Sequence, residues 1–244
     1  MKQKVTVVLG MHKSGTSLIS SMLHHSGINM VEQEDAKTYD QKNHYERLST
    51  NKLNKQLLGC GTKSSLSVVN ELDICGISSD LDYTVRATVE NIRIAESAWG
   101  FKDPRTCLTY QYWKQILPDH RIVGVFRSPY EVHAHYTKKR RLDPLRGVRA
   151  IRAWQIYNSC LLKAVESSDS DHVLINYGKL MTTDQELKKL ERFLECELVD
   201  KRDNTLRRAA QDQSNRFDLD NYISEHLFGH NTLALYQRLL RLSA

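Results

Sequence analysis

Val5-Thr-Val-Val-Leu9-Gly10-Met-His-Lys13-Ser-Gly15-Thr16-Ser17-Leu18 decides the fold. Its first five residues are an apolar run rich in β-branched side chains, the composition of a strand buried on both faces. A glycine-bounded loop follows, and then Leu18, Ile19, Met22 and Leu23 recur at helical spacing until Gly27. Strand, loop and helix in that order put backbone N–H groups and a helix N-terminus where they wrap a phosphate. The plainer alternative is a Gly/Ser turn that caps a buried helix. Motif and βα context coincide here, which favours the phosphate loop. The loop departs from the nucleoside triphosphate pattern GxxxxGK[ST], because Thr16 follows the second glycine and the lysine, Lys13, lies nearer the crown. A lysine there meets the reactive end of a group linked to a 5′-phosphate, with Ser14, Gly15, Thr16 and Ser17 supplying donors to the phosphate.

Further strands read outward from this unit. Arg121–Phe126 is the clearest, ended by Arg127-Ser128-Pro129, where proline suits the first turn of a helix. His172–Asn176 is the next. Helical spacing marks Leu48–Leu58, Val85–Ala95, Val148–Val165, Leu187–Leu194 and Leu233–Leu240, while Trp99-Gly100-Phe101 reads as the stop after a helix and Thr62–Ser79 as loop or short pieces. This alternation predicts an α/β fold of three layers around a mostly parallel central sheet, with a P-loop-like loop. It predicts one domain over residues 1–244, with 197–244 as a helical extension packed on it. In such sheets ligands sit at the strands' carboxyl ends.

The 244 residues are 40% hydrophobic and 26% charged, enough to bury a core without metal or disulfide staples. Five scattered cysteines without CxxC spacing suggest a reducing compartment. The apolar run after Lys2 and Lys4 is too short for a signal-peptide core, and no later run approaches the ~20 residues of a membrane span. The expectation is a cytoplasmic protein without stable membrane insertion. A formal charge of +6 favours an anionic partner. No base-stacking motif, zinc finger or repeated basic face points to nucleic acid. His133 and His135 are two apart on a helix and His24-His25 are adjacent, neither a ligand spacing, so no metal is expected.

Val7–Leu18 resembles the 5′-phosphosulfate loop of sulfotransferases that use 3′-phosphoadenosine 5′-phosphosulfate (PAPS). Three more segments are similar to the bacterial branch of that family: Trp99-Gly-Phe-Lys102-Asp103-Pro104-Arg105-Thr106 to its Lys-Asp-Pro element, Arg121–Pro129 to its 3′-phosphate strand and loop, and Leu174-Ile-Asn-Tyr177-Gly-Lys-Leu180 to its late strand followed by tyrosine and leucine. The resemblance implies PAPS as donor and adenosine 3′,5′-bisphosphate as product, without metal. It implies that His12 through Ser17 hold the phosphosulfate and that Arg127 binds the 3′-phosphate. The family's serine eight residues after that arginine is His135 here, and an imidazole can donate a hydrogen bond or carry charge. Arg207 and Arg208 correspond to a late basic loop over the nucleotide, or form a solvated charge cluster.

Sulfuryl transfer builds negative charge on the oxygen bridging sulfur and phosphate, so cations matter most. Lys13 and Lys102 are the candidates; the alternative for Lys102 is an ion pair with Asp103 or a neighbouring carboxylate. The acceptor needs a base. Glu46 in Asn43-His-Tyr-Glu46 resembles the family's aromatic-Glu element, and equally suits a carboxylate at a helix N-terminus; His44, His12 and Glu34 are reserves. Arg105 either binds an anionic acceptor or caps a carbonyl. The basic run Lys138–Arg141 with Arg146, Arg149 and Arg152 is a solvated surface or a rim that attracts an acidic acceptor. The acceptor itself is a carbohydrate, glycolipid or small metabolite. Rival readings are a kinase with an altered P-loop and a non-catalytic module that binds polyanions.

Overall fold

The computed structural model describes residues 4–32, 45–117, 119–138, 143–202 and 215–244. Glu34, His44, Lys139 to Arg141, Arg207 and Arg208 lie outside them. In chain order the elements are β1 (Val5–Leu9), α1 (Thr16–His25), α2 (Leu48–Leu57), α3 (Ser79–Ala95), β2 (Gly100–Lys102), α4 (Thr106–Ile116), β3 (His120–Phe126), α5 (Pro129–Thr137), α6 (Arg146–Ser167), β4 (His172–Asn176), α7 (Tyr177–Thr182), α8 (Gln185–Leu194), α9 (Asn215–Phe228) and α10 (Thr232–Leu242).

The four strands form one parallel sheet in the order β2-β1-β3-β4. β1 lies inside it, with all five residues buried, which is why its sequence is apolar throughout rather than alternating. Successive side chains go to opposite faces. Val7, Leu9, Ile122, Phe126 and Leu174 join the core beneath α2, α3, α4 and α6, whereas Val8, Val123, Val125, Val173 and Ile175 pack against α1 and α8. The result is the three-layer architecture expected.

β2 was not legible as a strand. It has three residues, and it is parallel to β1 with Val8 opposite Lys102. So short a run carries no period of its own; pairing with β1 makes it a strand. The chain leaves β1 for β2 on one side and β3 on the other, so the loops after β1 and β3 flank the switch point of the sheet, where such folds bind ligands. Beyond β4, Gln155 of α6 donates to Thr232 of α10 (2.8 Å) and accepts from Ser224 of α9 (3.1 Å), which ties the last two helices to the body.

Candidate active site

The loop after β1 is shaped by two backbone requirements. Gly15 has φ +98°, and a Cβ there would lie 2.0 Å from the Tyr177 ring; only glycine meets both constraints. Lys13, with φ 69°, takes the left-handed conformation at the crown. Such strain in a non-glycine residue is typical of ligand clamps. Ser14 is buried, and its hydroxyl donates to the Met11 carbonyl at 2.6 Å. Its hydroxyl therefore closes the loop. Thr16 and Ser17 open α1, where the first amides have no intrahelical acceptor.

Lys13, Ser17, Glu46, Lys102, Arg127 and His135 share one open cleft of about 320 Å³ at the carboxyl edge of the sheet. Lys102, at the end of β2, is 1% exposed, and its Nζ donates to Glu46 Oε1 at 2.8 Å and to Ser17 Oγ at 3.3 Å. Burial pulls the lysine down from its ordinary value, against the opposing effect of Glu46. The ion pair considered for Lys102 thus exists, with Glu46 and not with Asp103. Asp103 is fully buried and accepts from Arg105 instead, through Nη1 to both carboxylate oxygens at 3.0 Å and the backbone N–H at 2.9 Å.

The helix-terminus role considered for Glu46 belongs to another residue. Glu32 accepts from the amides of Leu48 (2.8 Å) and Ser49 (2.9 Å), the open end of α2. Glu46 is left to reach Lys102 through one oxygen and to accept from Asn51 Nδ2 at 2.9 Å through the other. Glu32→Ala should lower the unfolding free energy by about 1 kcal/mol, the usual cost of a lost N-terminal cap. Urea unfolding reads this directly; an unchanged midpoint would mean that α2 is held by packing alone.

On the opposite wall Arg127 leaves β3. Its guanidinium stands 4.8 Å over the Tyr177 ring, donates to Glu131 at 3.1 Å and to the Lys13 carbonyl at 3.4 Å, and keeps a buried Nε without a partner. That fork keeps one donor unfilled. His135 is exposed on α5, and His133, two residues earlier, turns the other way to meet Asp220 of α9 at 2.8 Å. His12 lines the cleft too, but burial and then Arg105, Lys102 and Lys13 hold its imidazole down to about 3. It is therefore neutral at physiological pH and a weak base.

Several site features had no local signal. Arg47 is buried and grips both oxygens of Glu96 at 2.8 Å, 49 residues away, while its Nε donates to the Gly100 carbonyl at 3.4 Å. It fastens the backbone next to Glu46 onto the strand that carries Lys102. Asn54 does the same for the turn after β2: it donates to Asp103 (3.3 Å) and Thr106 (2.9 Å) and accepts from Thr109 (2.7 Å) and Trp113 (2.9 Å). Tyr177 stands in a segment that the sequence singles out, but nothing local shows that its ring lies under the Arg127 guanidinium. Of the basic run, Lys139 to Arg141 lie outside the described residues; Arg146 donates to the Tyr136 carbonyl, Arg149 pairs with Asp143, and Arg152 lies 4.0 Å over Phe228. Among the described residues there is no cluster of metal-ligating side chains and no helix long and apolar enough to cross a membrane.

In fold the chain is similar to the sulfotransferase domain from the curacin biosynthetic pathway, at 18% identity over 80% of this chain and 74% of that one, with a TM-score of 0.50. It is similar also to the sulfotransferase domain from the Synechococcus PCC 7002 olefin synthase, at 17% identity over 98% and 88% with a TM-score of 0.50, and to sulfotransferase STF9 from Mycobacterium avium, at 12% identity over 95% and 70% with a TM-score of 0.50. No curated protein sequence matches it. At these identities the solved structures speak for the fold alone. The Sulfotransferase family, matched over residues 6–200, spans the loop after β1, Lys102 and Arg127 together, and to that family the chain belongs.

Proposed function

We propose that the protein transfers a sulfuryl group from PAPS to a hydroxyl or amine of a carbohydrate, glycolipid or small metabolite. One observation carries this reading: a buried lysine lies within 3.3 Å of a phosphate-loop hydroxyl and 2.8 Å of a carboxylate, all in one cleft. PAPS supplies the sulfuryl group, whose bond to the 5′-phosphate oxygen breaks as the bond to the acceptor forms. The amides of Thr16 and Ser17 and the ammonium of Lys13 hold the phosphate. Lys102 offsets the charge that develops on the bridging oxygen, and Glu46 takes the acceptor's proton. A carboxylate has about four lone-pair positions, two of which Lys102 and Asn51 occupy, so room remains for that proton. Arg127, braced by Tyr177 and Glu131, holds the 3′-phosphate, with His135 nearby.

Transfer of labelled sulfate from PAPS across a panel of sugars, amines and hydroxylated metabolites tests the reaction. Titration with adenosine 3′,5′-bisphosphate without magnesium tests the site; tighter binding of magnesium ATP would favour a kinase, and salt-sensitive binding of RNA or heparin indifferent to Lys13→Ala would favour a polyanion module. Arg127→Ala should weaken bisphosphate binding about 10–100-fold, the worth of one hydrogen-bonded charge pair, while turnover at saturating donor stays near wild type. An equal loss in both would place Arg127 at the reacting end.

A further inference from the structure

Behind the part of the cleft that His12 and Pro104 line lies a group of donors that the transfer does not use. Arg105 follows Pro104, which lines the cleft, and its side chain is 14% exposed. Only Nη1 is engaged, by both oxygens of Asp103. Asp103 is itself filled by the Arg105 amide and Asn54, so it fixes the guanidinium in place. Nε and Nη2 of Arg105 have no protein partner among the described residues. Beside it stands His12, whose buried Nδ1 has none either. The edge of its ring meets Tyr157 of α6 at a centroid distance of 5.8 Å, and the Tyr157 hydroxyl is likewise buried without a partner. His12 stays uncharged, for the reason given above, and burial pushes the Tyr157 phenol well above its ordinary value, so it stays protonated.

The group therefore comprises a fixed cation with two unfilled donor nitrogens, a neutral imidazole and a neutral phenol. Its carboxylate, Asp103, is already saturated. Unfilled donors beside an anchored guanidinium match an oxygen-rich anion better than a neutral hydroxyl, because charge-assisted hydrogen bonds are roughly twice as strong as neutral ones and a planar fork suits two oxygens at once. We propose that Arg105, His12 and Tyr157 form a subsite for an oxyanion carried by the acceptor, a carboxylate or a sulfate or phosphate ester, so that the enzyme sulfates acidic acceptors. This rests on the sulfuryl-transfer reading above. It differs from the donor site, whose anions meet the loop amides, Lys13, Lys102 and Arg127.

The test uses the full chain saturated with adenosine 3′,5′-bisphosphate, which keeps other anions off the phosphate loop. Methyl glucuronide, methyl glucoside and inorganic sulfate are titrated in, followed by calorimetry and by the His12 ring signal in NMR. The expected result is that glucuronide or sulfate binds and moves the His12 signal while glucoside does not, and that Arg105→Gln weakens anion binding about tenfold or more with bisphosphate affinity unchanged. Response to glucuronide alone assigns a carboxylate; response to sulfate alone assigns an ester oxyanion. Should Arg105→Gln fail to fold, Tyr157→Phe removes one hydroxyl, and anion affinity should fall with the melting temperature preserved. Glucoside binding as well as glucuronide, no response to either anion, or full anion affinity in the variant that folds would overturn the subsite. Absence of bisphosphate binding in the wild type would instead defeat the sulfuryl-transfer reading, and this inference with it.

Discussion

Lys102→Met should lower turnover about 10²–10³-fold, the usual consequence of removing one preorganised charge-stabilising donor, and leave adenosine 3′,5′-bisphosphate affinity within a few-fold of wild type. The reason is geometric. Nζ is held in a 1% exposed position between Ser17 and Glu46, so it meets developing charge without reorganising and with little screening by water. The same burial has a consequence for pH. In the proposed mechanism only the protonated ammonium stabilises the leaving oxygen, and burial lowers the lysine's pKa, so activity should fall as pH rises through a value below the ordinary lysine range. Lys102→Arg, which cannot lose its proton, should recover part of the rate and abolish that alkaline limb. Steady-state assays of labelled sulfate transfer between neutral and alkaline pH check both statements. Wild-type turnover in Lys102→Met would remove this residue from the mechanism.

Glu46→Gln has a two-sided expectation. Losing the base should cost about 10²–10⁴ in turnover. Donor-site binding should nonetheless tighten several-fold, because the Glu46 carboxylate lines the same cleft as Lys13 and Arg127 and repels an incoming phosphate, whereas an amide does not. Calorimetry with the bisphosphate reads the second effect without any acceptor. A variant that binds more weakly would show that the carboxylate orders the lysine rather than repelling the phosphate. One that turns over normally would move proton acceptance to another group, and the neutral, low-pKa His12 would be a poor choice for it.

The residues differ in how far their chain context foretells them. β1 and its glycine loop are legible because their information is local: four apolar residues and a threonine in a row, two glycines and a helical spacing lie within one stretch. β3 and β4 are legible for the same reason. β2 is not, since three residues have no periodicity and pairing with β1 alone makes them a strand. The α4 segment, Thr106–Ile116, is also hidden. It is buried on several sides, with Cys107, Leu108, Tyr110, Tyr112 and Trp113 all inside, so no single stripe betrays a helix. Ser14 looks like a phosphate ligand in the motif, yet its hydroxyl turns back to Met11.

For the cleft, the residue types were foretold but their pairings were not. Lys102 could be read as a cation near the phosphate loop, and Glu46 as a carboxylate with two possible uses. That Glu32 takes the helix end and frees Glu46 for Lys102 depends on contacts across 16 and 56 positions of chain. Backbone conformation and hydrophobic period are decided within a few neighbouring residues, so a linear string states them. Ion pairs, saturated carboxylates and unfilled donors are decided by which distant side chains packing brings within 3 Å, and only the folded chain can say so.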